Sequence, residues 1–145
     1  MEKDIEIFGI IPARMESTRF PSKPLALIQN IPMIRHVYNN CAKSKILKKV
    51  YVASDSIEIE EYCTKNSIPF IITGHHDTGS DRVFEAASIL KAKFIINIQG
   101  DEPMVKASLI DKIADFMNSS SFNKNQIITA HCECTEEELQ DINNV

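Results

Sequence analysis

Short apolar runs and segments of helical periodicity take turns along this chain, and that alternation constrains the fold more than any other feature. The runs lie at 5–11, 49–53, 69–73, 94–99 and 126–132, and each has the length of a strand rather than of a helix. Strands that alternate with helices join through right-handed crossovers, which stack the strands into a parallel sheet and place helices over its faces. The expectation is therefore a doubly wound α/β domain with a mostly parallel sheet of five strands. The intervening helices carry their own signals. Pro32 suits an opening position, with Met33, Val37 and Cys41 recurring on one face behind it. Asp55 with Glu58 resembles a capping box. Ser80 and Asp81 open a helix whose apolar stripe is Val83, Phe84, Ala87 and Leu90. A fourth helix over 108–117 would bury Leu109, Ile113, Phe116 and Met117, and a Ser/Asn-rich loop at 118–125 would return to the fifth strand. Thr135 and Glu138 form a further capping box just before the last residues, Asn143-Asn144-Val145, so the sheet reads as incomplete at its C-terminal side.

A length of 145 residues accommodates one such domain, residues 1–145, and no internal repeat or linker divides it. A formal net charge of −4 argues against a broad nucleic-acid footprint, so any anion site must be local. The longest apolar runs fall short of the ~18 residues of a membrane span, and the charged start of the chain is unlike a secretory signal, which predicts a cytoplasmic protein away from the membrane. Cys41, Cys63, Cys132 and Cys134 lack the spacing of a zinc or redox motif and read as free thiols. A soft-metal site built from Cys132, Cys134 and His131 with His75 and His76 is disfavoured, because alternate residues of a strand face opposite ways.

Ligands of doubly wound sheets bind beyond the carboxyl ends of the strands, so the loops that follow the strands carry the chemistry. After the first strand, Arg14, Arg19 and Lys23 cluster with Ser17 and Thr18 in a loop stiffened by Pro12, Pro21 and Pro24. Three cations there match a ligand with several negative charges, such as a polyphosphate. The glycines of a P-loop are missing, so side chains rather than a backbone nest must do most of the binding. After the fourth strand, Gln99-Gly100-Asp101-Glu102-Pro103 sets a carboxylate just past a glycine that permits close approach. Asp101 is a magnesium candidate, since that ion takes one or two protein carboxylates and completes its shell with water and phosphate oxygens; a plain turn explains the same residues equally well. After the third strand, Gly74-His75-His76-Asp77-Thr78-Gly79-Ser80-Asp81-Arg82 leads into a helix N-terminus that offers unpaired N–H groups to an anion or a base edge. Ser54-Asp55-Ser56, after the second strand, reads as a cap without a chemical role.

Taken in order, Ile10-Ile11-Pro12-Ala13-Arg14, Ser17-Thr18-Arg19-Phe20-Pro21 with Lys23-Pro24-Leu25, His76 with Thr78-Gly79-Ser80-Asp81-Arg82-Val83, and Asn97-Ile98-Gln99-Gly100-Asp101-Glu102-Pro103 resemble the signatures of 3-deoxy-manno-octulosonate (KDO) cytidylyltransferases. Ser22 departs from the glycine usual before the lysine, and Ser80 stands where threonine is common. The resemblance implies a Rossmann-like nucleotidyltransferase fold and transfer of CMP from CTP to KDO, with magnesium required, pyrophosphate released and the product feeding lipopolysaccharide assembly. It implies that Arg14 and Lys23 hold the triphosphate with help from Arg19, and that Asp101 holds the metal. Ala13, Thr78, Ser80 and Arg82 would border the cytosine and ribose, and Gln99 would face the ribose or the sugar acid. Members of that family are longer. Their remaining part is expected to supply much of the acceptor pocket, a second metal-binding aspartate and most of a homodimer contact. The nucleotide loops say little about the acceptor, so transfer to another acidic sugar stays open, as does a noncatalytic CTP-binding module.

Overall fold

In the computed structural model, residues 5–16, 20–119, 121–123 and 127–129 are described. The chain enters as strand β1 (Ile7–Pro12), makes a 3-10 turn at Lys23–Leu25, and folds a small antiparallel hairpin from β2 (Leu27–Ile28) and β3 (Ile31–Pro32). Helix α1 (Met33–Cys41) leads to β4 (Lys49–Ser54), α2 (Ile57–Lys65) to β5 (Phe70–Ile72), α3 (Gly79–Leu90) to β6 (Phe94–Asn97), and α4 (Ala107–Asn118) follows. The four long strands form one parallel sheet in the order β5-β4-β1-β6, with Ile10 of β1 level with Tyr51 of β4 and Asn97 of β6.

Strand alternation divides the core. Ile7 and Ile11 of β1, Val50 and Val52 of β4 and Ile96 of β6 pack with Ile34 and Val37 of α1, Ile59 of α2 and Ile110 of α4. Ile10, Ala53 and Ile71 point the other way, onto Val83 and Ala86 of α3. Helices thus cover both faces, as a doubly wound sheet requires. Ile7, Ile10 and Ile11 are at most 1% exposed, so β1 is the central strand of the core, each side chain contributing about 1.5–3 kcal/mol of apolar burial. Cys41 and Cys63 are free and buried in the larger half, and burial pushes the Cys41 thiol up to about 12 and that of Cys63 to about 11. Cys132 and Cys134 lie outside the described residues.

Several expectations need correction. Helix α2 is capped by Ser56, whose hydroxyl accepts from the Ile59 amide at 3.3 Å, and not by Asp55, whose carboxylate is drawn instead to Arg82. Helix α3 is capped by Thr78, not Ser80: the Thr78 hydroxyl accepts from the Asp81 amide at 3.1 Å. From that start Arg82, Val83 and Ala86 turn inward and Phe84 is left 76% exposed. In α4 the buried stripe is Ile110, Ala114 and Met117, whereas Leu109 and Phe116 are exposed. Residues 127–129 are not in a strand, and the rest of the segment expected to form the fifth strand lies outside the described residues, as do Thr135 and Glu138. The β2–β3 hairpin has no counterpart in the sequence reading.

Candidate functional site

The sheet order reverses at β1. Successive crossovers lead from β1 to β4 and on to β5, and the next crosses back to β6 on the other side of β1. Loops on either side of such a reversal diverge and leave a crevice at the carboxyl ends of the two strands. Here the crevice is a cleft of about 550 Å³. Pro12, Ala13, Arg14, Phe20, Lys23 and Pro24 reach it from the segment after β1, Gln99, Gly100 and Asp101 from the loop after β6, and His76, Thr78, Gly79 and Arg82 from the start of α3 and its approach. A second groove, of about 520 Å³ between β6 and α4, is walled mainly by apolar side chains, with Lys93 the one cation among the described residues that line it, and suits an anion less well.

Local geometry brings the first two loops together. Ser22 takes a left-handed conformation (φ 58°) and its amide donates to the Met15 carbonyl at 2.9 Å, which folds the loop back and opens the 3-10 turn that carries Lys23. Across the cleft, a Cβ placed on Gly100 would lie 2.7 Å from the Pro12 carbonyl oxygen, so only glycine lets the β6 loop lie against the end of β1. The Asn40 side-chain amide of α1 donates to the Pro103 carbonyl at 2.9 Å and holds the far end of the same loop. The outcome is an ion pair between Lys23 Nζ and Asp101 Oδ2 at 2.7 Å, with both side chains partly exposed. Arg14 reaches the opposite wall, where its Nη1 donates to the Asp77 carbonyl at 3.1 Å. Ala13 is buried, its amide donating to the Ala53 carbonyl at 2.9 Å.

The wall formed by residues 73–78 is braced from beneath. The Arg82 guanidinium, almost fully buried, donates through Nη1 to the Thr73 hydroxyl at 2.5 Å and to the Gly74 carbonyl at 3.2 Å, and its Nη2 meets Asp55 Oδ1 at 3.0 Å. Burial pushes the Asp55 carboxyl up, but hydrogen bonds from Arg82 and the backbone, with the Arg82 charge, outweigh it and hold the group below the ordinary carboxylate range. Glu85 accepts from the Gly74 amide at 2.9 Å and pairs with His76 Nε2 at 2.5 Å, and the His76 bond followed by the Gly74 amide lowers its carboxyl as well. His75 lies between Asp55 and Asp77, at 3.4 and 3.7 Å. The two histidines thus face carboxylates, and His131 lies outside the described residues.

Of the residues singled out from the sequence, Ala13, Arg14, Lys23, Thr78, Arg82, Gln99 and Asp101 line this one cleft. Ser80 does not; it is exposed on the first turn of α3. Arg19 lies outside the described residues. Sequence reasoning gave Asp55 no role beyond a helix cap, and the signal for more was topological: it follows β4, at the same edge of the sheet as the other loops. Among the described residues no three His, Cys, Asp or Glu side chains converge as a metal cage. The donor set still fits a magnesium ion, which needs one or two carboxylates beside phosphate oxygens and water. Asp101 is such a carboxylate, half exposed at the mouth of the cleft. No helix among the described residues is long and apolar enough to cross a membrane.

Comparison with known proteins agrees with this geometry. The cytidylyltransferase family model matches residues 8–145. A 3-deoxy-manno-octulosonate cytidylyltransferase of Lawsonia intracellularis is 45% identical over 112 residues, which cover 74% of this chain and 44% of the relative. One of Bdellovibrio bacteriovorus is 37% identical over 142 residues, covering 97% of this chain and 57% of the relative. The chain therefore spans about half the length of the curated relatives it matches. A solved structure of CMP:2-keto-3-deoxy-manno-octonic acid synthetase complexed with CTP superposes with a TM-score of 0.75 at 34% identity, over 77% of this chain and 47% of that one. With a switch-point cleft, a lysine–aspartate pair at its mouth and a family match over nearly the whole sequence, the chain belongs to the cytidylyltransferase family.

Proposed function

We propose that this chain binds CTP in the switch-point cleft and serves a 3-deoxy-manno-octulosonate cytidylyltransferase, which transfers CMP to the anomeric hydroxyl of KDO and releases pyrophosphate. The observation that carries the reading is the convergence of Lys23 and Asp101, distant in sequence, at 2.7 Å with Arg14 on the same cleft. Lys23 and Arg14 neutralise the triphosphate and then the departing pyrophosphate, with Arg19 assisting. Asp101 would hold magnesium, which supplies charge neutralisation at the phosphate oxygens. Ala13, Thr78 and Arg82 border the nucleoside, with Ser80 at the helix start beside them, and Gln99 faces the ribose or the acceptor. No covalent enzyme intermediate is needed, because in-line attack on the α-phosphorus requires only positioning and charge stabilisation. The names of the relatives support KDO as acceptor; the resemblance of the loops implies in addition a homodimeric cytoplasmic enzyme of lipopolysaccharide synthesis.

Calorimetry with the purified chain tests the nucleotide site. Losing a charged partner of a desolvated phosphate costs about 2–5 kcal/mol, and Lys23 is partly exposed, so the lower end applies. Lys23→Ala and Arg14→Ala should each weaken CTP binding at least tenfold. Unchanged affinity in both variants would move the site elsewhere.

A further inference from the structure

We propose that Asp55 is a positioning residue that reserves Arg82 as scaffold for the nucleoside wall, and so sets the preference of the cleft for a nucleoside triphosphate over a bare polyphosphate. The inference rests on the nucleotide reading of the cleft. Arg82 borders the cleft, yet the residue is only 2% exposed and its guanidinium is committed on two nitrogens: Nη1 to Thr73 and Gly74, Nη2 to Asp55 at 3.0 Å. A guanidinium beside an anion site would ordinarily be an anion ligand. Asp55 prevents this in two ways. Its charge cancels that of Arg82 in a setting with little solvent to do so, and its Oδ1 fixes the fork in the orientation that also grips the Gly74 carbonyl.

The consequence is a division of labour between the walls. Lys23 lies on the side of β1 and β6, where a phosphate chain finds positive charge. The wall from Thr73 to Thr78 offers no uncompensated cation from Arg82, and the Thr78 hydroxyl is taken up by Asp81; beside the Arg14 side chain that leans on it at the Asp77 carbonyl, the wall brings to the cleft the neutral opening of α3 at Gly79, suited to a base and a ribose. The Asp55 carboxyl, held below the ordinary carboxylate range by Arg82 and the backbone despite its burial, stays ionised across neutral pH, so the brace is permanent. Without it the guanidinium would be free to turn toward the phosphates, drawing the Gly74 carbonyl and Thr73 out of place.

The test measures CTP and inorganic tripolyphosphate binding to the 145-residue chain by calorimetry, with thermal melts alongside. Asp55→Asn keeps the shape and removes the charge. It should reduce the ratio of CTP to tripolyphosphate affinity at least tenfold, with tripolyphosphate binding unchanged or tighter, and Asp55→Glu should recover most of the ratio. If Asp55→Asn does not melt cooperatively, the doubly neutral Asp55→Asn/Arg82→Gln variant replaces it, with CTP affinity expected to fall and tripolyphosphate affinity to hold. Parallel losses for both ligands, or an unchanged ratio in a folded variant, would overturn the assignment of Asp55. Wild-type chain that binds neither ligand would overturn the nucleotide reading itself.

Discussion

Replacing Gly100 by alanine isolates how far the cleft depends on one close approach. The added Cβ would sit 2.7 Å from the Pro12 carbonyl oxygen, and the two must separate by about 0.7 Å to reach the ~3.4 Å at which such contacts become ordinary. Neither side yields easily: Pro12 ends the central strand, and the loop beyond Gly100 is tied to α1 through Asn40. Gly100 is not among the residues with positive φ, so the cost comes from space alone and not from backbone strain. Overpacking of this kind costs roughly 1–3 kcal/mol, which for a domain of this size lowers the melting temperature by about 2–12 °C. The displacement also carries Asp101 away from Lys23, and misplacements approaching 1 Å can cost about a hundredfold where function depends on positioning. Gly100→Ala should therefore lose the stated stability and, because Asp101 is displaced from the metal it would hold, at least tenfold in CTP affinity with magnesium present, by differential scanning calorimetry and titration. Gly79→Ala is the matched control for stability, because its Cβ would meet Pro12 Cγ at an ordinary 3.5 Å. Wild-type melting and affinity in Gly100→Ala, or an equal loss of melting temperature in Gly79→Ala, would refute the reasoning.

Two further outcomes follow from the same loops. Asp101→Asn should abolish the gain in CTP affinity on adding magnesium while leaving metal-free CTP binding equal or tighter, since Lys23 is then released; an undiminished magnesium effect would remove Asp101 from the metal site. Ser22→Gly should raise the melting temperature by about 1–2 °C, because relief of roughly 1–2 kcal/mol of left-handed strain exceeds the added unfolded-state entropy of about 0.5–1 kcal/mol. CTP affinity should hold, and a lower melting temperature would show that the serine side chain has a structural role.

The strands of the sheet were legible because central parallel strands are buried on both faces and read as unbroken apolar runs, as 7–11 does. The cleft loops were legible because each sits at the end of such a run. Helix faces were less so. Val83, Phe84, Ala87 and Leu90 fit one stripe as well as another, and the choice was made by the Thr78 cap, which set where α3 begins. The β2–β3 hairpin turns through Gln29 and Asn30 at φ 50° and 63°, without the glycine that would announce such a turn. Asp55 was read as a cap because its true partner, Arg82, meets it only after the intervening strand has folded.

The Lys23–Asp101 bridge makes the resting mouth of the cleft electrically self-satisfied. Being partly exposed, it is worth at most about 1 kcal/mol and opens readily. An anion that arrives alone captures the lysine and strands the aspartate against its own negative charge. An anion that arrives with its counter-cation replaces both halves of the bridge in a single exchange. On the proposed assignment the chain therefore acts as a coincidence detector, answering to nucleotide and cation together more strongly than to either one, with its overall charge hardly altered by the encounter.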